Sequence, residues 1–320
     1  MQGAHDAHRE LEDRGIRAVF HLRRSCNDPS PLRRLAQRAA AVIAEDFPAP
    51  PFPQWTRRLA LRTPVPVVAV DSCCILPMQS QSEAFTRAYA FRQANADEYA
   101  RRLRLDWAET PVSQPAFDGE LGFAPLDLDG ADIAALCAGC AIDHGVPPVA
   151  HTRGGSRAGY RRWNAFRDQG LDQYARLRND AAVDWPRGVS RMSPYLHHGQ
   201  VSPFRVARET SQTGGKGAEK FLDELLIWRE LAHNLCFHTA DPERLDVLPA
   251  WARQTLDEHA ADERPAILDE ETLARSGSGD ELWDLAQAAL RIHGELHNNL
   301  RMTWAKAIPF WRPDAAAALK

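Results

Sequence analysis

Six cysteines in 320 residues are too few for a disulfide scaffold in a chain of this length, so a reducing, cytoplasmic setting is expected. No run of about 18 apolar residues occurs, which excludes a hydrophobic membrane-spanning helix. The opening stretch MQGAHDAHRELEDRG carries charges where a secretory signal needs an apolar core. An excess of positive charge is also missing: Lys and Arg total 39 against 43 Asp and Glu, for a formal net of -4. A uniformly basic surface is thereby excluded, and any nucleic-acid footprint must be a local basic face. Neither a glycine-rich dinucleotide fingerprint nor a P-loop is present, and no internal repeat is found.

Large aromatics are plentiful. The chain has nine tryptophans, and Trp228, Trp251, Trp283, Trp304 and Trp311 fall in its last third. With 44% hydrophobic residues there is material for a packed core.

The chain divides by pattern. Up to about Pro77 it reads as α/β: an opening amphipathic helix, a strand-like run at Ala18–Leu22, helical periodicity over residues 31–45, and a β-branched run at Pro66–Val70. That alternation predicts parallel-sheet units. Residues from about 79 to 153 contain two helical patches and the proline-bearing stretches 110–125 and 145–149, and read as a connection. From Ser156 onward the pattern is helical, with Ser-Pro start signals at Ser193-Pro194 and Ser202-Pro203.

Three segments carry chemistry. In SRMSPYLHHG, residues 190–199, Ser193 is expected to cap a helix whose first amides suit a phosphate, with Ser190 beside it. In FLDELLIWRELAHNLCF, residues 221–237, apolar positions define a buried stripe, while Glu224 and Trp228, four apart, share one helix face. An indole that stacks and a carboxyl that hydrogen-bonds a base edge could grip a nucleobase; a surface acid beside a core tryptophan is the plainer alternative. In the third, Trp304 and Trp311 are seven apart, about 10.5 Å along one face, with Trp283 on the preceding helix. Such indoles can pass an electron stepwise, or can simply pack.

Two patterns are read as decoys. Cys137-Ala-Gly-Cys140, with His144 and His151 nearby, lacks a second CxxC pair and suits small helical core residues, so no metal is expected. His293 and His297 bracket a glutamate in the wrong place for a metalloprotease helix.

Taken in order and spacing, these segments resemble the photolyase/cryptochrome family, and most closely the class II cyclobutane pyrimidine dimer photolyases. The likeness rests on residues 155–179 (GSRAGYRRWNAFRDQGLDQYARLRN), SRMSPYLHHGQVS, FLDELLIWRELAHN, and the stretch from Trp251 through DELW to LHNNLRMTWAK. It covers nearly all of the second half and parts of the first. The resemblance implies an incomplete Rossmann-like α/β antenna-type domain over residues 1–110, a linker over 111–153 and an all-α FAD-binding domain over 154–320. By the same likeness Gly15–Leu22 and Pro66–Pro77 stand for later antenna strands, residues 80–90 for a helical region, and the chain looks truncated at both ends.

The function implied is light-driven repair of cyclobutane pyrimidine dimers in UV-damaged DNA by electron transfer from reduced FAD. A cryptochrome-like blue-light flavoprotein and a non-functional photolyase fragment are the alternatives. By resemblance, Glu224, Trp228 and Met302 match the acid, stacking tryptophan and methionine that meet the flipped dimer. Trp304, Trp283 and Trp311 match an electron-transfer chain, with Pro309 expected to disturb the helix between its outer members. Tyr174, Arg178, Val189, Ser190, Met192, Ser193, Arg229 and Asn298 match cofactor-binding positions, and Trp251 is left to packing. A monomer is expected; the antenna chromophore is left open.

Overall fold

The computed structural model describes residues 1–105 and 115–320. The expected proline-bearing stretch 110–125 and the border between residues 110 and 111 therefore lie partly outside the described residues.

The opening helix α1 (Gln2–Asp13) is amphipathic as its pattern predicts. It docks on the start of a helix over Ser156–Gln169. Gln2 Oε1 accepts from Gly154 N at 2.7 Å, Asp6 Oδ2 accepts from Arg157 N at 3.2 Å, and Ser156 Oγ donates to Glu10. Acidic side chains thus answer the unpaired amides and positive dipole end of that helix.

The predicted parallel pairing is present as one β-α-β unit. Strand β1 (Val42–Glu45) leads through α2 (Phe52–Ala60) to β2 (Val67–Val70), and Val42 to Glu45 lie opposite Val67 to Val70 in register. Two expectations fail here. Residues 31–45 are not one helix: Leu32–Ala36 is helical, and Val42 and Ile43 instead join the sheet, where β-branched side chains fit. Ala18–Leu22 forms no ladder; Phe20 O only receives Leu126 N at 2.8 Å.

Among the described residues the two helical patches of the middle region are α3 (Ala88–Arg102) and a short turn over Ile133–Ala138. The expected helical region at residues 80–90 is helical only at its ends: residues 81–87 are irregular, between a 3-10 turn at Met78–Ser80 and the start of α3 at Ala88. Beyond residue 155 no strand is described. Here α4 (Ser156–Gln169) is followed by α5 (Pro203–Thr213), α6 (Gly215–Leu222), a π turn over Asp223–Trp228, α7 (Arg229–His238), α8 (Glu281–His293) and α9 (Asn298–Trp311), with shorter helices between. Ser202 caps α5 as expected, its Oγ accepting from Arg205 N at 3.4 Å with Pro203 at the first helical position.

One core joins both halves of the chain. Ile75, Leu76, Phe91 and Tyr99 pack with Trp163, Phe166, Tyr195, Phe221, Leu225 and Leu226. Trp163, Phe166 and Phe221 form a cluster with ring centres 5.4 to 6.1 Å apart, a geometry that adds to their area burial. Among the described residues no helix is long and apolar enough to cross a membrane.

Candidate functional site

The helix pair α6 and the 171–177 turns sets the geometry of the site. Gly217 of α6 lies so close to this turn that an added Cβ would sit 1.8 Å from Leu171 O. That backbone-to-backbone approach, open only to glycine, brings the segment Tyr174–Leu177 and the following Arg178 against the end of α6. Tyr174 rests edge-on against Phe166 and Phe221, and burial pushes its hydroxyl up to about 12, with the negative Glu224 nearby adding to the shift. Arg178 lies over the Tyr174 ring at 5.9 Å and its Nη2 donates to Glu224 Oε1 at 2.6 Å. Lys220 Nζ reaches the same oxygen at 2.8 Å and Asp223 Oδ2 at 2.8 Å. Arg92 of α3 also pairs with Asp223.

Glu224 and Trp228 do not lie on an α-helical face as expected. Residues 223–228 form a π turn, which widens the helix and resets where each side chain emerges. Trp228, at its end, is 51% exposed, so it is not a core tryptophan. Such turns are uncommon and concentrate at functional sites.

The phosphate-site expectation at Ser193 needs correcting. Ser193 is the first residue of a five-residue helix, Ser193–His197, the cap position is Met192, and no side chain caps it. Ser190 Oγ accepts from Met192 N at 3.4 Å, and Arg191 adopts a left-handed φ of 53°. Met192 is buried in the core, Val189 and Ser190 are half-buried, and Ser193 is exposed. Arg191 pairs with Glu295 at 3.3 Å, which ties this loop to the approach to α9.

Arg229 turns away from Glu224 toward the N-terminal half, where its Nη1 donates to Cys73 O at 2.8 Å. Asn298 opens α9 on an exposed turn, its Oδ1 accepting from Arg301, and Met302 one turn later is 51% exposed. Neither is hydrogen-bonded to the Glu224 cluster. The neighbouring Asn299, however, donates to Asn179 O at 2.7 Å and so fixes the start of α9 beside Arg178.

The three tryptophans do come together. Trp283 is buried, its ring stacked on Trp304 at 5.8 Å with an interplanar angle of 11°, and edge-on to Trp311 at 5.2 Å. Asp280 caps α8 by accepting from Trp283 N at 2.9 Å, and Trp283 Nε1 donates to Trp304 O at 3.0 Å. Helix α9 runs on through Pro309, and both outer rings still reach Trp283, which stands between them. Trp251, expected to pack, is instead 72% exposed.

Among the described residues no group of three or more His, Cys, Asp or Glu could hold a metal. Cys137 and Cys140 are free but only partly buried, so they are not the core residues expected. His293 ends α8, Gly294 closes it in the left-handed region, and His297 caps α9 by accepting from Asn299 N, so the two histidines do not share a helix.

The residues missed by sequence reasoning are Glu230, Asn234, Tyr99 and Lys220. Glu230 is fully buried: its carboxyl accepts from Ile75 N at 2.7 Å, Leu76 N at 3.2 Å and the Tyr99 hydroxyl at 2.7 Å. Burial pushes that carboxyl up to about 7. Asn234 accepts from Phe85 N at 2.8 Å and donates to Glu83 O at 3.1 Å. Together with Arg229 they clasp residues 73–85 to α7. The spacing Leu226, Glu230, Asn234, every fourth residue through an apolar segment, is the signal that could have revealed them.

The fold is similar to that of solved photolyase and cryptochrome structures. A bacterial class III photolyase from Agrobacterium tumefaciens superposes with a TM-score of 0.63 at 18% identity, covering 99% of this chain and 68% of that one. A cryptochrome from Synechocystis gives a TM-score of 0.68 at 16% identity over 96% of this chain and 62% of that one. No family model matches the chain. In sequence it is 28% identical to a deoxyribodipyrimidine photo-lyase of Methanothermobacter thermautotrophicus over 99% of this chain and 68% of that protein. It is 30% identical to the enzyme of that name from Oryza sativa over 91% of this chain and 58% of that protein, and to that from Potorous tridactylus over 87% and 52%. The chain is thus similar in sequence to deoxyribodipyrimidine photo-lyases and in fold to a photolyase and a cryptochrome. It spans between about half and two thirds of the length of these relatives.

Proposed function

We propose that this chain repairs cyclobutane pyrimidine dimers in UV-damaged DNA under light, as a class II-type photolyase working as a monomer with FAD. The observation that carries the reading is the π turn, which ends on a half-exposed Trp228 and begins beside Glu224, itself held by Arg178 and Lys220. An indole open to solvent offers a stacking face for a flipped base, at about 1–3 kcal/mol per base. The Glu224 carboxyl keeps lone pairs beyond those given to Arg178 and Lys220, and these can accept from the edge of a pyrimidine. Two neighbouring cations hold it in place while it does so.

The residues present fit FAD. Arg178 Nε and Arg229 Nη2 are buried without a hydrogen-bond partner, which suits an acceptor-rich, anionic group. Tyr174, Arg178, Val189, Ser190, Met192, Ser193, Arg229 and Asn298 would hold it. When bound and reduced, FAD supplies the electron that splits the dimer on illumination. The chain's own part is to stack and orient the lesion through Trp228, Glu224 and Met302. The ring series Trp304, Trp283, Trp311 would provide an electron path outward from the helical body.

Trp228→Ala is expected to weaken binding of an oligonucleotide with a single thymine dimer by about 10- to 100-fold, with undamaged DNA bound as before. Fluorescence anisotropy with both oligonucleotides measures this. Equal loss on both would mean that Trp228 belongs to a general surface; no loss on either would remove it from the site.

A further inference from the structure

The π turn that carries Glu224 and Trp228 is gripped from outside its own helix. Tyr99, from α3, places its hydroxyl 2.9 Å from Leu226 O, in the middle of that turn, and 2.7 Å from Glu230 Oε2. All three residues are buried. The remaining acceptor capacity of Glu230 goes to Ile75 N and Leu76 N, so the carboxyl is anchored on a different segment from the turn. A phenol has one proton, and here two acceptors compete for it. When Glu230 is ionised, the hydroxyl is drawn to the carboxylate and Leu226 O is left with a weaker partner. When Glu230 carries a proton, that proton can be donated to the Tyr99 oxygen, and the Tyr99 proton is free for Leu226 O. The groups facing Glu230 are Tyr99 from α3, Cys74 from the clasped segment and Arg229 on α7 itself. Burial raises the Glu230 carboxyl to about 7, so both arrangements are reached around neutral pH.

Uncommon backbone forms last where their surroundings over-determine them. We propose that Tyr99 is a positioning residue: its hydroxyl, donated to Leu226 O and backed by Glu230, holds residues 223–228 in the π form and so sets Glu224 and Trp228. This rests on the reading that those two side chains meet the lesion. Tyr99 is buried beneath the turn and acts through it.

Tyr99→Phe in the full chain keeps the buried ring and removes only the hydroxyl. Amide hydrogen exchange in residues 223–228 is expected to quicken by about tenfold, with exchange in α5 unchanged. Preference for dimer-containing over undamaged DNA is expected to fall about five- to tenfold. Unchanged exchange across the turn overturns the proposal outright, whatever the DNA assay gives. Loss of preference in Trp228→Ala but not in Tyr99→Phe also overturns it. If Trp228→Ala binds dimer DNA normally, the lesion reading has failed, and the exchange result alone then decides whether Tyr99 holds the turn.

Should Tyr99→Phe fold poorly, Glu230→Gln gives a second arm. Its amide oxygen keeps the acceptor for Ile75 N, and its nitrogen, in the place of Oε2, donates permanently to Tyr99 at the loss of the longer Leu76 bond. Between about pH 6 and about pH 8, exchange in the turn should quicken in the parent beyond the intrinsic pH effect, and should not do so in Glu230→Gln. The same pH response in both proteins contradicts the relay.

Discussion

Glu230→Ala lowers the unfolding free energy by roughly 3 kcal/mol or more, because one truncation strands two buried donors and leaves a hole. These donors are the Ile75 and Leu76 amides, whereas the Tyr99 hydroxyl keeps Leu226 O as its acceptor. A cavity adds to the loss, since Glu230 is among the largest fully buried side chains. Glu230→Gln, of the same shape, should cost far less. The pH dependence separates the two effects. The folded carboxyl titrates near 7 against 4.5 for the free group. The folded state therefore holds the proton more tightly, and this stabilisation is complete below about pH 4.5 and is lost as the pH rises through about 7. Urea unfolding curves should show the parent losing stability relative to Glu230→Gln over that window. A Glu230→Ala protein within about 0.5 kcal/mol of the parent would refute the clasp as described.

Trp283→Phe is expected to cut photoreduction of the bound flavin to a small fraction of the parent rate. Trp283 is the ring that touches both Trp304 and Trp311, so its loss opens a gap between them. Repair by protein whose flavin has been reduced chemically beforehand should be preserved, because Trp283 is buried away from solvent. The substitution also removes the hydrogen bond to Trp304 O and some packing, at a cost of about 1–3 kcal/mol, so circular dichroism must show a folded protein. Photoreduction at the parent rate in a folded Trp283→Phe would show that the tryptophan stack is packing alone.

Local patterns made much of this molecule legible. Pro66–Val70 reads as a strand because four β-branched or small residues leave little else, although Val68 and Val70 are exposed where a buried strand is expected, and the helical second half follows from its periodicity. Ser202-Pro203 reads correctly because the cap bond is local. Ser193-Pro194 carries the same dipeptide signal, yet there the hydroxyl caps nothing, since the core takes Met192 and the left-handed Arg191 sets the approach. Residues 31–45 show the converse: helix-forming Ala and Arg yield at Val42 and Ile43 to a partner strand that lies 25 residues away in the chain. The tryptophan spacing was visible, but not that Trp283 would stand between the other two, because that depends on how α8 packs on α9. Glu224 and Trp228 stand out by type and spacing, while the π turn beneath them is held by tertiary contacts such as Tyr99. Glu230 and Asn234 do not stand out by type, because polar residues on a helix are ordinarily solvated. Their burial is set by the backbone of residues 73–85, more than 140 residues earlier.

The most direct measurement is dimer loss from a thymine-dimer oligonucleotide mixed with the purified, FAD-loaded, pre-reduced chain and exposed to blue light. The account predicts restoration of intact thymines in the illuminated sample and none in the dark. Flavin-loaded protein that binds the oligonucleotide yet leaves the dimers intact under light would contradict it.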